Sequence, residues 1–382
     1  MERILKLTLP RKVVFGAGCL AACAEWIVER QPRCVMVITS PQVASLVDPL
    51  LAQLRERGCR AVVWDGVRTE PHVDDLAQAI SVARDAGVDL VVGLGGGSAM
   101  DVAKLVAALL DGRQQIGDVF GIDKLAARSV TVVCVPTTSG TGSEVSPIAI
   151  IQDSADGLKK GVISAHLVPD AAFVDPCLTV GMPAAVTAST GLDALTHCIE
   201  AFANRQAHPL VDTWALEGIR RISRGLPTAH ANGSDIDART DVALGSLYGG
   251  MCLGPVNTAA VHALAYPLGS QFNVPHGVSN AVLLPHVLEF NLPAATERYA
   301  QIAGAMGVSR EGSTLDVARR GVQFIRDLNH RCEIPLHIAE LGVPRSAIDA
   351  MASSALTVQR LLLQNPRAVT LDDARDIYQR AF

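Results

Sequence analysis

The chain carries no Asp, Glu, Lys or Arg between Asp241 and Glu289. Charged residues make up 19% of its 382 residues, so a gap of this length marks a segment kept from water. A membrane span is the competing explanation, and Gly249, Gly250, Gly254, Pro255, Asn257, Pro267, Gln271, Asn273 and Pro275 break it up. No clean apolar run approaches the roughly 18 residues that a span needs. Aromatics are scarce at 4% and no basic run is present, which excludes base stacking and a nucleic-acid partner. The nine cysteines are an odd set without a CxxC pair, so they read as scattered core residues and no disulfide framework is expected. The opening residues MERILKLTLP lack the apolar segment of a signal peptide. A net charge of −5 singles out no acidic or basic partner. These absences describe a cytoplasmic protein with a reduced interior and no membrane.

A chain of this length is expected to form two domains. The first half alternates β-branched runs with amphipathic stretches. CVMVIT (34–39), AVVWDG (61–66), DLVVGLG (89–95) and TVVCVP (131–136) read as strands, with helical patterns at 42–57 and 72–87 between them. That alternation predicts a parallel sheet covered by helices. Strand signals stop near Pro183, and long helical patterns follow at 206–224 and 297–330. The expected division is an α/β domain over 1–180 and an all-helical domain over 181–382, with a catalytic cleft between them.

The uncharged segment holds His262 and His276, and it predicts buried helices joined by a turn with both histidines inside. A buried polar group without a partner costs about 1–3 kcal/mol, so each histidine needs a metal or a hydrogen bond. Upstream, Asp193 and His197 stand four apart in a stretch without Gly or Pro from Leu192 to Asn204. On a helix they share one face, one turn apart. A core histidine bonded to its neighbours is the commoner case for any one of them. The helical pair together with two histidines in one uncharged core favours a divalent metal, which can hold and polarise a substrate oxygen.

The strand ending at Leu94 runs through Gly95, Gly96, Gly97 and Ser98 into a helical pattern. Glycine admits close backbone approach and positive φ, and a helix N-terminus offers free N–H groups to an anion. This is neither GxGxxG nor the Walker pattern, and a plain turn capped by Ser98 is the alternative. A second polar loop, 136–144, follows the next strand and includes Thr137, Thr138, Thr141 and Ser143. In open α/β sheets ligands bind at that edge.

GGGSAMDVAK (95–104), PTTSGTGSEV (136–145), GLDALTHCIEAF (191–202) and HALAYPLGSQFNVPHGVSNAVLLPHVLEFN (262–291) together resemble the iron-containing, or group III, alcohol dehydrogenases. The resemblance runs through nearly the whole chain, in order. It implies a Rossmann-like N-terminal domain binding NAD(P), a helical C-terminal domain of the dehydroquinate synthase-like architecture, and one divalent metal. Iron is the metal that the resemblance names; the ligand chemistry also admits Zn²⁺, Mn²⁺ and Co²⁺. By position the metal ligands are Asp193, His197, His262 and His276. The pyrophosphate falls on Gly95, Gly96, Gly97 and Ser98, with Asp101 and Lys104 bracing the turn. Thr137, Thr138, Thr141 and Ser143 line the cofactor, and Lys159 matches a lysine near its ribose. The implied reaction is reversible hydride transfer between NAD(P)(H) and a small alcohol/aldehyde or hydroxy acid/oxo acid pair. The expected assembly is a homodimer.

The chain departs from the family pattern in two places. Many members have a second histidine four residues after the third ligand, where this chain has Tyr266. Tyr266 and His276 are thus the candidate catalytic residues that could contact substrate, although a tyrosine with a reference pKa of about 10 is a poor base near neutrality. Many NAD-preferring members have an Asp at the end of the second strand, where this chain reads Ile38-Thr39-Ser40-Pro41. Ser40 permits NADP as well as NAD. Two relatives of the same architecture offer other readings. A metal-independent maleylacetate reductase conflicts with the intact Asp/His/His/His set. A lyase of the dehydroquinate synthase kind needs a basic cluster that the uncharged segment does not supply.

Overall fold

The computed structural model describes residues 3–68, 70–155 and 157–382. Its chain divides into two compact units, each with its own core.

The α/β unit comprises residues 7–138 and 142–180. Six parallel strands form its main sheet, in the order β1-β9-β6-β4-β2-β3. These are β1 (Lys12–Phe15), β2 (Val35–Ile38), β3 (Ala61–Trp64), β4 (Leu90–Gly95), β6 (Thr131–Pro136) and β9 (Ala171–Val174). A smaller sheet contains β5 (Gly121–Ile122), β8 (Lys159–Ile163) and β7 (Ile148–Gln152), with β7 antiparallel to β8. The four strands read from the sequence are all in the main sheet. Its faces follow the period-two rule. Met36, Ile38 and Val91 enter one core, whereas Val35, Val37, Leu90 and Val92 enter the other.

Because the strands are parallel, their C-terminal ends share one edge. Ile38 is level with Gly93 in the β2–β4 pair, and Gly95 is level with Pro136 in the β4–β6 pair. Thr39-Ser40, the glycine turn and the polar loop at 137–138 therefore emerge side by side. The pattern at 42–57 folds as a 3-10 turn, Pro41–Val47, followed by a helix, Asp48–Glu56.

The helical unit comprises residues 181–382 together with 3–6 and 139–141 of the earlier sequence. After Pro183 no strand occurs among the described residues. Helices Ala184–Ala203, Pro209–Ala231, Ile236–Leu253, Ala260–Phe272 and His276–Ala305 pack around one large apolar core. The pattern at 297–330 is not continuous. Residues 306–313 separate Ala305 from the helix Thr314–Arg331, and Gly307 and Gly312 take φ of 86° and 89° there. Positive φ at both glycines ends helical geometry, which the apolar period alone does not reveal. No described helix is long and apolar enough to cross a membrane, and all nine cysteines are free thiols.

Candidate metal centre and nucleotide-binding edge

Three helices of one unit bring the metal candidates together. Asp193 and His197 lie on Ala184–Ala203, one turn apart, as their spacing requires. His262 lies in the first turn of Ala260–Phe272, and His276 is the first residue of His276–Ala305. Gly277 lets that last helix start close to the first, because a Cβ there would collide with the Ser189 carbonyl. Helix Ile236–Leu253 also passes close, with Gly249 against Ala194 and His197.

Asp193 Oδ1 is the hub. It lies 3.6 Å from Nε2 of His262, 3.6 Å from Nε2 of His276 and 3.9 Å from Nε2 of His197. A tetrahedral shell with bonds of about 2.1 Å spaces its ligand atoms about 3.4 Å apart, so these separations suit a small divalent cation. Asp193, His262 and His276 form the tightest group, with ligand atoms all within 4.8 Å of one another. His197 stands outside that triangle and stacks on His262, with ring centroids 4.8 Å apart. The expectation that His262 and His276 are both buried holds for His262 alone. The His262 side chain is 5% exposed and that of His276 is 35% exposed. As the first residue of its helix, His276 has no preceding turn to cover it.

Two further residues complete the centre, and the sequence reading missed both. Glu200, on the same stripe of helix as Asp193 and His197, is buried. It accepts a 2.5 Å bond from Nδ1 of His262 and a 2.6 Å bond from the Val261 N–H. Asn280, one turn after His276, donates through its amide nitrogen to Asp193 Oδ1 at 2.7 Å. The same nitrogen lies 3.2 Å from Nε2 of both His262 and His276. Its oxygen is buried without a partner. Three acceptors thus converge on a group with two hydrogens. A cation at that point would satisfy all three lone pairs, so the donor set fits a divalent metal. The signal for both residues was present as i+3 from His197 and i+4 from His276.

Electrostatics follow from burial and from this crowding. Burial opposes charge on Asp193, but His197, His276 and His262 outweigh it and hold the carboxyl well below the usual carboxylate range. Burial likewise disfavours His262 as a cation, yet Glu200 and Asp193 push its pKa up to about 9. Burial pushes His197 down. Tyr266 lies one turn after His262, with its ring centroid 6.3 Å from that of His276.

In the α/β unit, β4 ends at Gly95 and a helix spans Gly97–Leu109. The N-cap is Gly96, not the Ser98 of the alternative reading, and it has no side chain with which to cap the first turn. None of the three glycines takes positive φ. Gly95 is there for space: a Cβ on it would sit 2.7 Å from that of Ala99. Asp101 and Lys104 brace the neighbouring polar loop more than the turn. Asp101 accepts from the Ser143 hydroxyl at 2.5 Å and from the Ile150 N–H at 2.9 Å. Fully buried Lys104 donates to the carbonyls of Ser143 and Ser146. The N–H of Thr137 bonds the Gly95 carbonyl at 2.9 Å, and the side chain of Thr138 faces Gly96. The hydroxyls of Thr39 and Thr137 are buried at the sheet edge without a hydrogen-bond partner. Ser40 is half-buried at the same edge, where it precedes the 3-10 turn. Lys159 lies in the smaller sheet and pairs with Glu70 at 2.8 Å. Thr141 belongs to the helical unit.

Comparison with known proteins agrees with this geometry. Residues 10–176 match the family described as iron-containing alcohol dehydrogenase, and residues 187–382 match the C-terminal domain of the Fe-containing alcohol dehydrogenase family. The chain is 38% identical to long-chain-alcohol dehydrogenase 1 of Geobacillus thermodenitrificans, over 99% of this chain and 97% of that one. It is 34% identical to 1,3-propanediol dehydrogenase of Citrobacter freundii, over 100% and 99%. A crystal structure of 1,3-propanediol oxidoreductase superposes with a TM-score of 0.97 at 34% identity, covering 100% of both chains. The chain belongs to the iron-containing alcohol dehydrogenase family and is an NAD(P)-linked oxidoreductase of the alcohol/aldehyde class.

Proposed function

We propose that this enzyme interconverts a small primary alcohol and its aldehyde, with one divalent metal held by Asp193, His197, His262 and His276. The observation that carries the reading is the convergence of three ligand atoms on the Asn280 amide nitrogen at 2.7, 3.2 and 3.2 Å. A bound divalent cation would supply Lewis acidity, which polarises a carbonyl and lowers the pKa of an alcohol. The chain's own residues supply the rest. Glu200 holds the Nδ1 proton of His262, so that Nε2 presents its lone pair to the centre. His276, the most exposed member, marks the side from which substrate enters. Tyr266 stands beside His276 and offers a hydroxyl to the substrate.

The nicotinamide cofactor is assigned to the α/β unit. Gly95, Gly96, Gly97 and Ser98 receive the pyrophosphate at the uncapped helix N-terminus. Thr137, Thr138 and Ser143 line it, with Asp101 holding Ser143 in place. Ser40 lies where the adenosine ribose would fall and admits NADP as well as NAD. Lys159 would have to leave Glu70 to reach a ribose. We take the enzyme to be a cytoplasmic homodimer that holds Fe²⁺.

The test is His276→Ala. The half-exposed side chain can be removed with the fold intact. Metal content measured by elemental analysis should fall to background, and turnover of aldehydes with NADH or NADPH should drop by orders of magnitude. Full metal occupancy in the variant, or wild-type activity that survives exhaustive chelation, would refute the assignment.

A further inference from the structure

The run from 242 to 288, which holds Tyr266, carries no charged residue. The fold brings one to it from far along the chain. Arg360, in the short helix Gln359–Leu362, donates from Nη2 to the Tyr266 hydroxyl at 3.2 Å across 94 residues of sequence. Tyr266 in turn lies against His276, with ring centroids 6.3 Å apart. A guanidinium therefore sits one tyrosine side chain away from the candidate metal ligands, within the same unit.

Both side chains are half-buried, and among the described residues Arg360 has no carboxylate partner. A partly desolvated cation without a counter-ion is unfavourable, and an anion that reaches it recovers the difference. The hydroxyl geometry points the same way. The Tyr266 oxygen accepts from Arg360, which leaves its own O–H to donate elsewhere. Two donors, one of them charged, then stand together one tyrosine side chain from His276. Together they match a carboxylate, for which charge-assisted bonds are about twice as strong as neutral ones.

We infer that Tyr266 and Arg360 form an anion subsite that selects substrates bearing a carboxylate a few carbons from the reacting carbon: ω-hydroxy acids and the corresponding ω-oxo acids. This rests on the dehydrogenase reading above and narrows its substrate. In the reductive direction a hydride from the nicotinamide and a proton from solvent convert the aldehyde to CH₂OH. The cofactor is oxidised, and the carboxylate takes no part in bond making.

The test compares two four-carbon aldehydes, 4-oxobutanoate and butanal, with the metal-loaded enzyme and saturating reduced cofactor. The wild type should favour the oxo acid at least tenfold in kcat/KM. Arg360→Gln should lower that ratio at least tenfold, chiefly through KM, and Arg360→Lys should keep part of it. Calorimetric titration with butanoate reads the subsite without turnover, and Arg360→Gln should weaken that binding at least fivefold. Turnover of both aldehydes without preference in the wild type would overturn the inference. So would a ratio unchanged in Arg360→Gln at wild-type metal content. If neither aldehyde turns over with either cofactor, the dehydrogenase reading fails, and the butanoate titration decides the subsite alone. Equal butanoate binding by wild type and Arg360→Gln would then overturn it.

Discussion

Glu200 and His262 share a 2.5 Å hydrogen bond between Oε2 and Nδ1, and both side chains are about 5% exposed. The bond fixes the imidazole tautomer. With the Nδ1 proton committed to the carboxylate, Nε2 is the atom that faces Asp193, at 3.6 Å, and the one that would turn a lone pair to a bound metal.

Glu200→Gln should therefore weaken the centre without dismantling it. The amide keeps the shape of the side chain but loses the charge that holds the Nδ1 proton. Metal affinity, measured by competition with a chromophoric chelator, should fall by about 10–100-fold, the usual effect of losing such an outer partner. An unchanged affinity would mean that the pair serves packing alone.

Gly96→Val tests the glycine turn. A Cβ at Gly96 lies 3.6 Å from the nearest atom of Thr138, an ordinary contact, so the fold should accept it. The methyl groups beyond it would intrude where phosphate oxygens approach. Cofactor affinity by fluorescence titration should drop at least tenfold, about 1.4 kcal/mol, while metal content stays normal. Equal titration curves for variant and wild type would remove the pyrophosphate from this turn.

Ser40→Asp addresses cofactor choice. Ser40 stands two residues after β2 at the shared sheet edge and brings no charge against a 2′-phosphate. A carboxylate there should disfavour NADPH by a few kcal/mol through like-charge repulsion and change NADH little. The wild type should use both cofactors, as a ratio of kcat/KM values will show. If it already rejects NADPH a hundredfold, residue 40 does not govern the choice.

Glu144 makes stability depend on pH. Burial raises its pKa from 4.5 to about 7, against the lowering effect of its own backbone and of Lys104. Between those two values the folded chain holds a proton that the unfolded chain has lost. Stability should therefore fall as pH rises through that window. Glu144→Gln should flatten the slope and stabilise the apoprotein at pH 8 by on the order of 2–3 kcal/mol. Urea midpoints measured at several pH values will show whether the slope depends on this residue. A slope that persists in Glu144→Gln assigns it to another group.

The α/β class, the four strands of the main sheet and the switch to helices after Pro183 were legible in the sequence. Period-two alternation and apolar stripes are local consequences of burial. The helical break at 306–313 escaped because two glycines at positive φ end a helix without disturbing the apolar period. The strands β1, β5, β7, β8 and β9 were not read from the sequence.

At the site, spacing alone put Asp193 and His197 on one helical face, since four residues make one turn whatever surrounds them. Motif order added His262, His276 and the glycine turn. Sequence could not show that His197 lies outside the tightest triangle, that His276 is half-exposed, or that Asn280 points its amide at three ligand atoms. Nor could it show Arg360 beside Tyr266 across 94 residues. Those relationships depend on how separate helices pack, and side chains distant in sequence meet only when a shared core brings them together. Local chemistry in the chain determined what kind of site this is, and tertiary packing decided which atoms face it and what charge stands at its edge.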